Sequence, residues 1–112
     1  MSMEAFWDLR SREHIAKHGV SPDEVDYVLQ QASAPFPQDI GEGKHLVQGQ
    51  TEHGRYLQVI IIYRPIDTID WEMLDWQDRL RLLDEGLDEV VYVVHARELT
   101  DAEKRNLRRR IQ

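Results

Sequence analysis

Three features of the sequence predict an α+β fold, a small antiparallel sheet carrying two N-terminal helices and one C-terminal helix. Runs rich in β-branched and other apolar residues, suited to a pleated surface, occur at 44–51, 55–63 and 90–94. Helix-start signals with Glu three residues after Ser or Thr stand at Ser21 and Thr100. An acidic stretch at 67–88 carries apolar residues at mixed three- and four-residue steps, which predicts a helical insert before the last strand. With 112 residues the chain has room for one core, so 1–112 is expected to be a single domain with 67–88 as an excursion from it.

Taken in order, Phe6 and Trp7 are expected to pack under the sheet, with a short N-terminal strand as an optional first element, and Asp8 to cap a helix from Leu9 to Lys17 ended by Gly19. Ser21-Pro22-Asp23-Glu24 combines an N-cap, proline at the first helical position and glutamate at the third, while Val20 and Val25 hold the two positions of a hydrophobic staple. Val25, Val28, Leu29 and Ala32 then give the second helix one apolar face. The Pro- and Gly-rich segment 34–43 reads as a loop. Lys44 to Thr51 and Arg55 to Tyr63 flank a turn at Glu52-His53-Gly54 and form a hairpin with a nearly all-apolar second arm. In the insert, Ile69, Met73, Leu74, Leu80, Leu83 and Leu87 mark the apolar steps, and Trp71 and Trp76 are expected to pack within it. Val90 to Val94 reads as a central strand, and Thr100 with Glu103 starts the last helix at Asp101.

The formal net charge of −7 argues against non-specific binding of nucleic acid by the molecule as a whole. The charge is uneven, however. Residues 67–89 hold 9 Asp/Glu against 2 Lys/Arg, whereas residues 90–112 hold 6 Lys/Arg against 3 Asp/Glu. The basic end gathers where the last strand hands over to the last helix. His95 and Arg97, two apart, are expected to share one strand face beside Lys104, Arg105, Arg108 and Arg109 of the helix. There is no cysteine and no apolar run near the ~18 residues a membrane span needs, so a soluble, cytoplasmic protein with no membrane partner is expected.

Trp7-Asp8, His14-Ile15-x-x-His18-Gly19-Val20, Glu24-Val25-x-x-Val28-Leu29, Gly54-Arg55-Tyr56-Leu57-x-Val59 and Ala96-Arg97-x-x-Thr100-x-x-Glu103 occur in an order and spacing that resemble the BrnT toxin family. The resemblance covers most of the chain outside the insert. It implies a RelE-like fold and a ribonuclease toxin of a type II toxin–antitoxin system, neutralised by a BrnA-like, DNA-binding antitoxin, with a homodimer admitted as a further assembly. It also assigns Arg97 to the family's arginine after the last strand and Arg55 to the basic position after the hairpin turn. The chain departs from the family's pattern at Gln50, often basic, at Leu107, often aromatic, and in the acidic insert.

RNA cleavage by attack of its own 2′-hydroxyl needs no metal or other cofactor, but it needs donors for the charge developing on the phosphorane and a group that moves protons. Arg97 is the candidate for the scissile phosphate, with Arg55 beside it. Lys44, Lys104, Arg105 and Arg108 are candidates for neighbouring phosphates. His95, or His45 within the RNA-binding set, is the candidate for the proton. The competing expectation is structural: His95 bonded to backbone in the core, and the arginines paired with Glu98 and Glu103. His14 and His18 stand four apart, as a helical metal pair would, but no third ligand lies at a recognised spacing and no metal site is expected. If catalysis is absent, the alternative is a non-catalytic BrnT-like protein whose acidic insert binds a protein partner.

Overall fold

The computed structural model describes residues 3–86 and 88–110, so Leu87 lies outside the described residues. The elements run β1 (Ala5–Phe6), α1 (Leu9–Ala16), α2 (Pro22–Gln30), β2 (Gln38–Gly41), β3 (Lys44–Gln50), β4 (Tyr56–Pro65), α3 (Trp76–Glu85), β5 (Glu89–Glu98) and α4 (Asp101–Arg110), with 3-10 turns at Ile66–Thr68 and Trp71–Met73. They form an α+β domain whose five strands lie in the order β1-β5-β4-β3-β2.

The sheet is mixed rather than antiparallel, because β1 runs parallel to β5 through Ala5 and Phe6. It stops after two residues. Asp8 takes an extended conformation and accepts the amide of Ser11, while Ser11 Oγ accepts the amide of Asp8, so a reciprocal cap starts α1 where β1 could have continued. As a result α1, not a strand, packs along β5. The 34–43 segment also departs from expectation. Its second half is β2, folded back on β3 through a turn in which Glu42 and Gly43 have φ of 57° and 75°.

The expected starts of α2 and α4 are present: Ser21 Oγ accepts the Glu24 amide, and Thr100 Oγ1 accepts the Glu103 amide, each answered by the glutamate carboxylate. Val20 and Val25 are both buried. α2 lies close on β3, since a Cβ at Gly49 would stand 3.3 Å from Val28 Cγ1. The main core fills that side of the sheet: Val25, Val28 and Leu29 meet Val47, Leu57, Val59, Ile61, Val93 and Ala96, closed at one end by Leu107 of α4.

The segment between β4 and β5 leaves and rejoins the sheet at one place, for Pro65 pairs with Glu89 and the Ile66 amide donates to the Asp88 carbonyl. It packs Ile69, Leu74 and Leu82 on Phe6 and Val90 as a second, smaller core. The expected apolar stripe is therefore corrected: Leu82 turns inward, while Leu80 and Leu83 face solvent. Trp71 and Trp76 are also outside, at 39 % and 71 % exposure, rather than packed within the insert. Ion pairs of Arg12 with Asp75 and Asp78 tie the insert to α1. Among the described residues no helix is long and apolar enough to cross a membrane.

Candidate functional site

A bulge in β5 sets the direction of every candidate side chain near the strand end. Val93 pairs with Ile61 and Ala96 with Val59, all four buried, so β5 uses three residues where β4 uses two. The extra residue, Val94, resets the alternation. Without it His95 and Arg97 would follow Val93 into the core; with it they stand on the opposite, half-open face. There Arg97 lies in a row with Gln58 and Gln48, and His95 in a row with Ile60 and Leu46.

Arg97 shares that face with His95 as expected, but its fork is engaged. Its two terminal nitrogens donate to the two oxygens of Glu103 at 2.8 Å each, and Nη1 also reaches the Glu98 carbonyl at 3.0 Å. These hydrogen bonds from Arg97, followed by the one from the Thr100 amide, hold the Glu103 carboxyl down to about 2. Glu103 thus caps α4 and neutralises Arg97 at once.

Arg55 lies close by, on the side of the sheet that carries α2. It donates to the Gly19 carbonyl at 2.8 Å, to both oxygens of Glu24 at 3.1 Å, and to Glu98. It locks the hairpin turn to the end of α1, the start of α2 and the end of β5. Its guanidinium pKa is raised, first by Glu98, and it is a brace as much as a candidate for phosphate.

α4 adds cations beside this face. Lys104 Nζ and the Arg108 guanidinium lie 5.9 and 5.7 Å from the centre of the Tyr56 ring, which closes one side of a cavity of about 180 Å³ with Gln48, Gln50 and Leu107. Arg105 is exposed on the same helix. Lys44 and His45 do not join the group. Lys44 pairs with Ile62 and His45 with Ile61, whereas Arg97 pairs with Gln58, so they lie roughly 10–13 Å further along the sheet and two strands across. Lys44 pairs with Glu42, and the His45 ring packs edge-on against Tyr63.

His95 is half-buried outside the core, and among the described residues it makes no hydrogen bond to backbone. Its ring meets those of His18 and His14, with centroids 4.9 and 5.9 Å away. Burial lowers its pKa first, and the neighbouring His18, His14 and Arg97 lower it further. Spacing within α1 could not show that a strand 77 residues beyond His18 supplies a third imidazole. The places of Tyr56, Gln58 and Gln48 are also products of register, whereas the pairing of the arginines with Glu98 and Glu103 is the structural expectation drawn from the sequence. A signal for the bulge does exist: core residues Val93 and Ala96 are three apart, which a regular strand does not allow. Comparisons with known protein families, curated proteins and solved structures find no match to this chain.

Proposed function

We propose that this is a metal-independent ribonuclease toxin of the BrnT kind with a RelE-like fold, acting in the cytoplasm and held in check by a BrnA-like antitoxin. The observation that carries the proposal is the placing of Arg97, the arginine its sequence resemblance singles out, on a half-open sheet face beside an aromatic ring and a cationic helix. A single strand laid on that face meets Tyr56 as a stacking surface, Lys104 and Arg108 as phosphate contacts, and the Gln48–Gln58–Arg97 row as donors. For cleavage, the guanidinium of Arg97 exchanges Glu103 for the scissile phosphate, and His95, kept neutral by its surroundings, takes the 2′-hydroxyl proton; the 2′-oxygen bonds to phosphorus, the bond to the 5′-oxygen breaks, and that oxygen takes a proton from solvent. The acidic insert does not cover these groups. It packs on the Val90 and Tyr92 end of β5, where even Tyr92 is five residues from Arg97 along the strand.

The test is cleavage of RNA by folded wild type, Arg97→Ala and Arg97→Lys. Activity in wild type that disappears in both variants, with unchanged circular dichroism, supports the assignment; absence of activity and of growth arrest on expression refutes it. A second reading is favoured by one feature. Trp76, Leu80 and Leu83, spaced four and three apart on α3, are exposed together on the acidic insert, as in a protein-binding helix face. It predicts a non-catalytic relative, distinguished by wild type that does not cleave RNA but whose partner binding is lost in Trp76→Glu.

A further inference from the structure

We propose that His14, His18 and His95 form a binding site for a divalent metal ion of the zinc class, held by three imidazole nitrogens with a fourth position left to water. One ring nitrogen from each residue can be chosen so that all three lie within 4.8 Å of one another. Tetrahedral zinc, with Zn–N bonds of about 2.0–2.1 Å, places its nitrogens roughly 3.4 Å apart. Binding would need the three nitrogens to approach one another by up to about 1.4 Å.

Three further observations favour a metal over a chance cluster. First, among the described residues none of the three rings takes part in a hydrogen bond or an ion pair. Three imidazoles in mutual contact without a carboxylate repel one another when protonated, and their free lone pairs are what a cation needs. Second, the scaffold is fixed on both sides. His18 precedes Gly19, whose left-handed φ of 69° turns the chain and whose carbonyl Arg55 holds at 2.8 Å, while His95 follows directly on the β5 bulge. Third, His14 and His18 are exposed and His95 is half-buried, so the ion has a path in and a water position out. The nearest cation on the same face, Arg97, is already paired with Glu103.

The donor set selects the ion. Nitrogen-only ligation disfavours magnesium and calcium, which take oxygen ligands, and suits zinc, copper, nickel or cobalt. Three protein ligands with one open position match the pattern of zinc sites that keep a water rather than closed structural ones. A bound ion would occupy the lone pair of His95, so the metal-free form is the one in which this imidazole is available to take a proton. The site itself does not depend on the ribonuclease reading, since it is measured without RNA.

Untagged protein, freed of metal with a chelator, is titrated with Zn²⁺ and with Co²⁺. The expected result is one equivalent bound, a visible Co²⁺ spectrum of the tetrahedral type, and a higher melting temperature with metal. His14→Ala, His18→Ala and His95→Ala should each weaken Zn²⁺ binding by roughly tenfold or more, whereas His45→Ala and His53→Ala should not. His14 and His18 are exposed, so their variants test the site even if His95→Ala unfolds. Failure of wild type to bind one equivalent overturns the proposal, as does binding that survives all three substitutions or is lost equally in His53→Ala.

Discussion

Replacing Glu103 with glutamine separates the two roles that Arg97 can have. The carboxylate lies 2.8 Å from both terminal nitrogens of Arg97, where a phosphate would have to dock. Glutamine still accepts from the Thr100 amide, so the start of α4 is retained, but one negative charge leaves the site. Two unit charges ~4 Å apart in water interact by about 1 kcal/mol, which is roughly a fivefold change in an equilibrium constant. Single-stranded RNA should therefore bind E103Q roughly fivefold tighter than wild type. The same change costs little stability. The side chains of Arg97 and Glu103 remain 33 % and 26 % exposed, and pairs at that level contribute about 1 kcal/mol or less. Fluorescence anisotropy with a labelled oligonucleotide reads the affinity, and Arg97→Ala in the E103Q background should remove the gain. Folded E103Q that binds RNA no better than wild type would refute the idea that Arg97 is a phosphate site gated by Glu103, leaving it as a helix brace.

Four other outcomes follow from the geometry. Because Glu103 titrates well below its ordinary 4.5, the stability its carboxylate contributes is complete above that value and lost as pH falls towards about 2; urea melts of wild type and E103Q should differ at neutral pH and converge in acid, and a constant gap would contradict the pairing. Ser21→Ala should cost about 1 kcal/mol by removing the acceptor for the Glu24 amide, and an unchanged thermal melt would show that the cap carries no weight. Arg55→Lys keeps the charge but cannot reach Gly19, Glu24 and Glu98 together, so a loss of at least about 1.5 kcal/mol is expected in denaturant melts. Joining Asp67 to Asp88 by a short turn uncovers Phe6 and Val90, each worth about 1.5–3 kcal/mol when buried, and should yield an aggregating or unfolded chain; a soluble variant with the wild-type melting temperature would show that the insert covers no core.

Local chemistry made much of this molecule legible before its fold was known. The caps at Asp8, Ser21 and Thr100, the staple at Val20 and Val25, the hairpin and the last strand each depend on residues within about a turn or a strand of one another, and each is present, although β5 lies second from the edge beside the two-residue β1 rather than at the centre of the sheet. That His95 and Arg97 share one strand face was legible for the same reason. What depended on register or on distant chain was not. Whether Leu82 or Leu80 and Leu83 face inward is decided by where β1 and Val90 lie under the insert, and both choices satisfy helical spacing. β2 exists because a turn with two left-handed residues returns a Pro- and Gly-rich segment to the β3 edge. The meeting of His14, His18 and His95 needs β1 to stop at Phe6, α1 to take its place along β5, and one extra residue at Val94 to turn His95 off the core. Side-chain periodicity carries only local direction, so a site assembled from a helix end and a strand far apart in sequence is decided by packing of the whole domain.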